Sequence, residues 1–448
     1  MRVPSPPHIS ALAPKRRRWI RTILLILLVA LGTIGWREFT WQRAVRQLRE
    51  AGFRCEEVEN PRWATIWAVA RNEPRVLFRK SFWESQPSAG WWTMNNGGLH
   101  DLDALASALR RVNPKILQIR ICPVLKNLDG LKGLTSLTEL YLDNCDALEN
   151  LDGLHEITTL RSLDVHGCIA LRNVNALERL TGLEHLDLSD CHALQNVDGL
   201  KGLTALKKLD LDRCTALKNL DGLIRLHALS ELHIRFCDAL ENIDGLKGLI
   251  SPALGPDLDL SRCYGLQNVE GLKGLVGLQK LHLYGGPALQ NISALKGLKA
   301  LQMLVISDCR ALRDIDSLKE LTALEYISLD NCSGLQNIDG IKGIKTLKVL
   351  HISGCSALRD LDSLKELTAL EGIFLTDCSG LRNLDGLKGL TTLQYVFLMQ
   401  SNTLRNVDAL KRLSSLRFLN LQGCSGLSPE AVAALKAALP ATQISCDP

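Results

Sequence analysis

Twelve cysteines of this chain stand on one register. Cys122, Cys145, Cys168, Cys191, Cys214 and Cys237 follow one another at 23-residue intervals, and Cys263 comes 26 later. The 23-residue step then resumes through Gly286, Cys309, Cys332, Cys355, Cys378, Ser401 and Cys424. A period of this length is that of a solenoid. One unit cannot bury its apolar face alone, and stacked units bury a continuous core. The repeat overrides the length of 448 residues, which would otherwise suggest several ordinary domains.

Residues 137–157, LTELYLDNCDALENLDGLHEI, represent the unit. Leucines stand 8, 5 and 3 residues before the Cys, and the last two alternate with polar residues. That alternation predicts a short strand with one face buried. After the Cys come Leu148 and Asn150, then an apolar residue and Asp-Gly-Leu. A thiol is small, readily buried and a weak donor, so one per coil can serve backbone carbonyls in the turn leaving the strand. The Asn column is expected to serve backbone at the next corner, and the Asp after it to cap a helical turn.

The unit resembles the leucine-rich-repeat superfamily, whose signature is L-x-x-L-x-L-x-x-N/C-x-L. It is most similar to the short bacterial internalin-like class, with Cys in place of the usual Asn and one more residue per turn. The resemblance covers about residues 113–427. It implies an α/β solenoid with a parallel sheet on its concave side. About fourteen coils, roughly 4.8 Å apart, would make it about 65 Å long. Protein binding through the concave face is the function it implies.

Repeat arrays need covered ends. Residues 37–112 read as a Trp-rich linker and N-terminal cap, with helical patterns over 41–51 and 101–112. Residues 428–448 read as a helical C-terminal cap that starts at Ser428-Pro429 and closes with a strand, Thr442 to Cys446. The six residues Ser251 to Pro256 hold the three extra residues of the long step and predict a bulge between coils. All eight Trp lie between Trp19 and Trp92, which sets the boundary of the repeats near residue 100.

Charge divides at the same place. Residues 1–100 hold 16 Lys and Arg against 7 Asp and Glu, whereas the remainder holds 37 against 41. A solenoid so near neutral has no basic field for nucleic acid. Lys15, Arg16, Arg17, Arg18 and Arg21 precede the uncharged stretch Thr22 to Trp36. Residues 1–18 then read as a basic cytoplasmic stub and 19–36 as a single transmembrane helix or signal anchor. The solenoid would lie outside the cytoplasm. The apolar stretch alone spans roughly 22 Å as a helix, short of a roughly 30 Å hydrocarbon core. A cleaved signal, which would leave a secreted protein, and a buried helix stay open beside the anchor.

No nucleophile elbow, phosphate loop or metal-binding Cys pair is present, so the expectation is a non-enzyme without cofactor or metal. The ladder spacing favours buried, unpaired thiols. Function is sought on the concave face, from side chains 2, 4 and 6 residues before the ladder position. Its first half gathers Asp164, His166, Asp187, Asp210, Asp212, His233 and Asp259. Its second half gathers Phe374, Tyr395, Phe397, Met399 and Phe418. The acidic group points to a basic partner or a cation, and the aromatic group to an apolar anchor of a protein or peptide. A structural spacer without a specific ligand is the competing reading.

Overall fold

The computed structural model describes residues 40–55, 92–94, 99–249, 255–284 and 286–446. The basic stub, the apolar stretch 19–36 and most of the Trp-rich segment lie outside the described residues. Among the described residues no helix is long and apolar enough to cross a membrane.

Each unit contributes one strand, and the strands form two sheets. Eight strands run from Arg54–Cys55 to Glu231–His233, and nine from Asp257–Ser261 to Gln443–Ser445. Arg54–Cys55 pairs antiparallel with Trp92–Met94, and every later pairing is parallel. The register sets equivalent positions side by side, as in Leu140 with Leu163 and Phe374 with Phe397. The two sheets part where the long step falls, after His233. The core nonetheless runs through without interruption, because leucines of every coil pack inward across the joint.

The Asp-Gly-Leu segments form 3-10 helices of three to five residues, such as Asp129–Leu131 and Asp244–Gly248. A 23-residue turn leaves no room for more. The Asp does not cap them, contrary to the sequence expectation. Asn127 Oδ1 accepts the Asp129 N–H at 3.1 Å, and Asn150 and Asn219 do the same for Asp152 and Asp221 at 3.1 Å. The Asn therefore makes an Asx turn that starts each helix. Asp129 instead pairs with Lys132 at 2.7 Å. At Gly222 a Cβ would overlap the Val197 carbonyl of the preceding coil, so glycine there allows the coils to stack closely.

The residue before each ladder position is left-handed in all thirteen described coils, with φ between 52° and 73°. Eight of the thirteen are Asn, Asp or Gly, the residues that tolerate this region. That column was a visible signal which the strand-and-ladder reading passed over.

Helices lie at both ends of the described array. A helix over residues 40–50 and the helix Ala106–Val112 pack on the first coils. Pro429–Ala438 starts at Ser428, whose Oγ accepts the Ala431 N–H at 3.2 Å.

Candidate functional site

On the sheet face the two predicted groups prove to be different in kind. Asp164, Asp187 and Asp210 stand side by side on paired strands. Each carboxylate accepts an N–H two residues on. Asp164 Oδ1 takes His166 N–H at 2.9 Å, Asp187 takes Ser189 at 2.8 Å, and Asp210 takes Asp212 at 2.9 Å. Asp259 takes Ser261 in the same way at 2.9 Å, and the hydroxyls of Ser189 and Ser261 also donate to their Asp. The strands Ser162–Asp164, His185–Asp187 and Lys208–Asp210 accordingly stop at the Asp, whereas Tyr326–Asp330 runs two residues further.

This local turn frees a carbonyl on the preceding coil, and the ladder thiol takes it. Cys168 donates to Leu142 O at 3.2 Å, Cys214 to Leu188 O at 3.2 Å and Cys263 to Ile234 O at 3.2 Å. In several coils whose strand keeps its ladder the thiol stands further off, though Cys355 still reaches Leu329 O at 3.4 Å. Cys145 lies 3.8 Å from Ile119 O and Cys332 lies 3.9 Å from Ile306 O. All twelve ladder thiols are free and buried. Burial pushes the Cys309 thiol up to about 11 and Cys378 up to about 12, which keeps them protonated donors.

The acidic column is thus largely occupied with its own backbone. Burial first, then repulsion from Asp187 and Asp143, holds Asp164 well above the usual carboxylate range. Burial and Asp187 push Asp210 up to about 7. Asp187 is 6% exposed and is also raised, again by burial first. Asp212 is held by Arg235, which donates its own N–H at 2.8 Å and its Nε at 3.0 Å. His166 Nδ1 meets Ser189 Oγ at 2.9 Å. Donor atoms of Asp210, Asp212 and His233 lie within 4.8 Å of one another, and Arg235 already neutralises one of the three.

The aromatic group forms a stack. Ring centroids of Phe374 and Phe397 are 4.7 Å apart at 19°, and those of Phe397 and Phe418 are 5.1 Å apart at 36°. His351 meets Phe374 edge-on at 6.0 Å. Its Nδ1 lies 3.1 Å from Asp330 and 3.0 Å from Ser328 Oγ, and the bond to Asp330 raises its pKa. Met399 is half-buried beside the stack, and Tyr395 is 40% exposed at its rim. Sequence reasoning placed the five aromatic-group residues together but missed His351, which extends the column by one coil. A depression of about 620 Å³ adjoins the rim, lined among others by Lys348, Glu371, Gln394 and Arg417.

Two family models match the chain. Residues 115–198 match the leucine-rich-repeat domain of the endo-beta-N-acetylglucosaminidase EndoS, and residues 263–427 match six copies of the BspA type leucine-rich repeat region. The chain is a leucine-rich-repeat protein. Among solved structures of such proteins, an internalin from Listeria monocytogenes is similar over 70% of this chain and 76% of its own, with 20% identity and a TM-score of 0.41. A leucine-rich-repeat protein of Leptospira interrogans is similar over 78% of this chain and 93% of its own, with 18% identity and a TM-score of 0.43. No curated protein matches the sequence.

Proposed function

We propose that this leucine-rich-repeat protein is a binding module, not an enzyme, and that it engages a protein or peptide through its sheet face. The observation that carries the reading is the stack Phe374, Phe397 and Phe418, with Tyr395 and Met399 at its margin. A solvated sheet face has no use for such a column, and aromatic anchors dominate interface energetics. The acidic column contributes less to this reading, since its carboxylates serve the turns beneath them. A membrane tether through residues 19–36, with the N-terminus cytoplasmic and the solenoid outside, completes the proposal. It rests on the basic cluster from Lys15 to Arg21 ahead of the uncharged stretch.

The test is a double variant, Phe374→Ser with Phe397→Ser, used as bait beside the parent chain. The half-exposed rings contribute about 2 kcal/mol to stability, so the variant stays folded. Capture of the partner weakens by more than about tenfold. Equal capture by both baits would overturn the aromatic anchor. Failure of the parent chain to retain any partner, in the presence of a competent extract, would favour the spacer. For the tether, protease added to intact spheroplasts digests the solenoid. Protection until lysis would overturn the topology.

A further inference from the structure

The left-handed corner before the ladder holds Asn, Asp or Gly in eight of the thirteen described coils, and three of the five exceptions fall on successive coils. They carry Arg213, Phe236 and Arg262, with φ of 62°, 62° and 60°. Bulky side chains in this region cost free energy wherever they occur, and such strain gathers at ligand clamps. The three side chains hold one another. The Arg213 guanidinium lies 5.5 Å from the centre of the Phe236 ring, and that of Arg262 lies 5.2 Å from it. Coming from the coils on either side, they sandwich the ring. Stacking of this kind fixes the plane of a guanidinium and leaves its N–H fork directed outward.

The two arginines differ in what meets that fork. The corner preceding Arg213 is Asp190, whose carboxylate reaches the Arg213 Nη1 at 3.5 Å. Arg262 is exposed, and among the described residues no carboxylate lies within ion-pair distance of it. One flank of the sandwich is paired with a carboxylate of the chain itself, and the other has none among the described residues.

We propose that Arg262, held by Phe236, is a carboxylate-binding site, and that an acidic side chain of a protein partner takes the place there that Asp190 takes beside Arg213. The inference rests on the reading that the partner is a protein, and it adds a second, charged contact remote from the aromatic column. It also assigns the column before the ladder a role that the sheet face does not share. Bidentate pairing of a planar fork with a carboxylate is the chemistry involved.

The experiment uses the purified chain with arginine side chains labelled for NMR, titrated with a hexaglutamate peptide. The Arg262 Nε–H resonance should shift saturably. Arg262→Gln should abolish the effect, and Phe236→Ser should weaken the affinity by about fivefold or more. Arg213→Gln should leave it unchanged, because Asp190 already covers that arginine. A shift that grows linearly without saturation, an equal response to free sulfate, or unimpaired binding by Phe236→Ser would each overturn the proposal. Because the readout needs no natural partner, it can fail while capture through Phe374 and Phe397 succeeds, and the reverse.

Discussion

The Cys168 thiol lies 3.2 Å from the Leu142 carbonyl, the acceptor left vacant when the His166 N–H turns to Asp164. The choice of Asp at the end of one strand thereby determines what the next thiol does. Coils with long strands show the converse. Asp330 remains in register with Ser307, and the Cys332 thiol sits 3.9 Å from Ile306 O. The two ladder positions without Cys, Gly286 and Ser401, both follow five-residue strands, Lys280–Tyr284 and Tyr395–Met399. A coil dispenses with its thiol only where the strand ladder is long enough to do without it.

Cysteine-to-alanine substitutions should therefore differ along one column. Cys168→Ala strands a buried carbonyl and should cost about 1 kcal/mol more than Cys332→Ala, whose neighbouring carbonyl keeps its ladder position. Chemical denaturation of the two variants checks this. Equal losses would mean that the thiols act only as fillers.

Ser401 presents the reverse case. Its hydroxyl is fully buried, and its Oγ has no hydrogen-bond partner. Ser401→Cys should raise stability by about 1 kcal/mol, since a thiol tolerates an apolar site better than a hydroxyl. An unchanged denaturation midpoint would contradict it.

Stability should fall as pH rises through the acid range. The folded pKa of Asp210, about 7, lies above the ordinary carboxylate value, chiefly because of burial. The folded chain thus binds more protons than the unfolded chain between about pH 4 and about pH 7, and stability is lost as pH rises across that window. Asp164 and Asp187 are shifted in the same direction. Asp210→Asn keeps the turn, because Asn420 already makes it with Gln422 N–H at 2.9 Å. The variant should gain roughly 1–2 kcal/mol at about pH 8 and flatten the profile. A profile as steep as the parent's would exclude Asp210 as its source.

Gly222→Ala should destabilise by about 2 kcal/mol or more, because the added methyl meets the Val197 backbone, which cannot rotate away. Gly274→Ala, where a Cβ meets open space but φ is +97°, isolates the backbone cost alone. If both cost the same, close stacking is not the reason for the first glycine.

The period of the cysteines carried most of the architecture. It located the strands and their buried face, because each coil repeats the same apolar constraint. The aromatic stack was legible too, since Phe374 and Phe397 share a column and parallel register preserves columns. The acidic half was less so. Asp164 and Asp187 read as a free charged surface, yet a side chain two residues from an unpaired N–H competes for it locally, and periodicity is blind to that. For the same reason the capping role went to the Asp of Asp-Gly when Asn127 performs it. The left-handed corner was written in Asn144, Gly167 and Asp190, but a column of turn formers reads as loop until its φ is seen.

The parting of the sheets after His233 bears on how the molecule comes apart. Coils in such an array lean only on their neighbours, so unfolding spreads from coil to coil with a cost at each boundary. At the joint that boundary has the thiol hydrogen bond of Cys263 and backbone hydrogen bonds from Phe236 N–H to Ser261 O, Gly255 N–H to Ser230 O and Gln267 N–H to Glu241 O, without a strand ladder. It is the weakest place to keep folded and unfolded coils together. The acidic and aromatic halves would then melt as two blocks with separate transitions, and a partner gripping both would merge them into one.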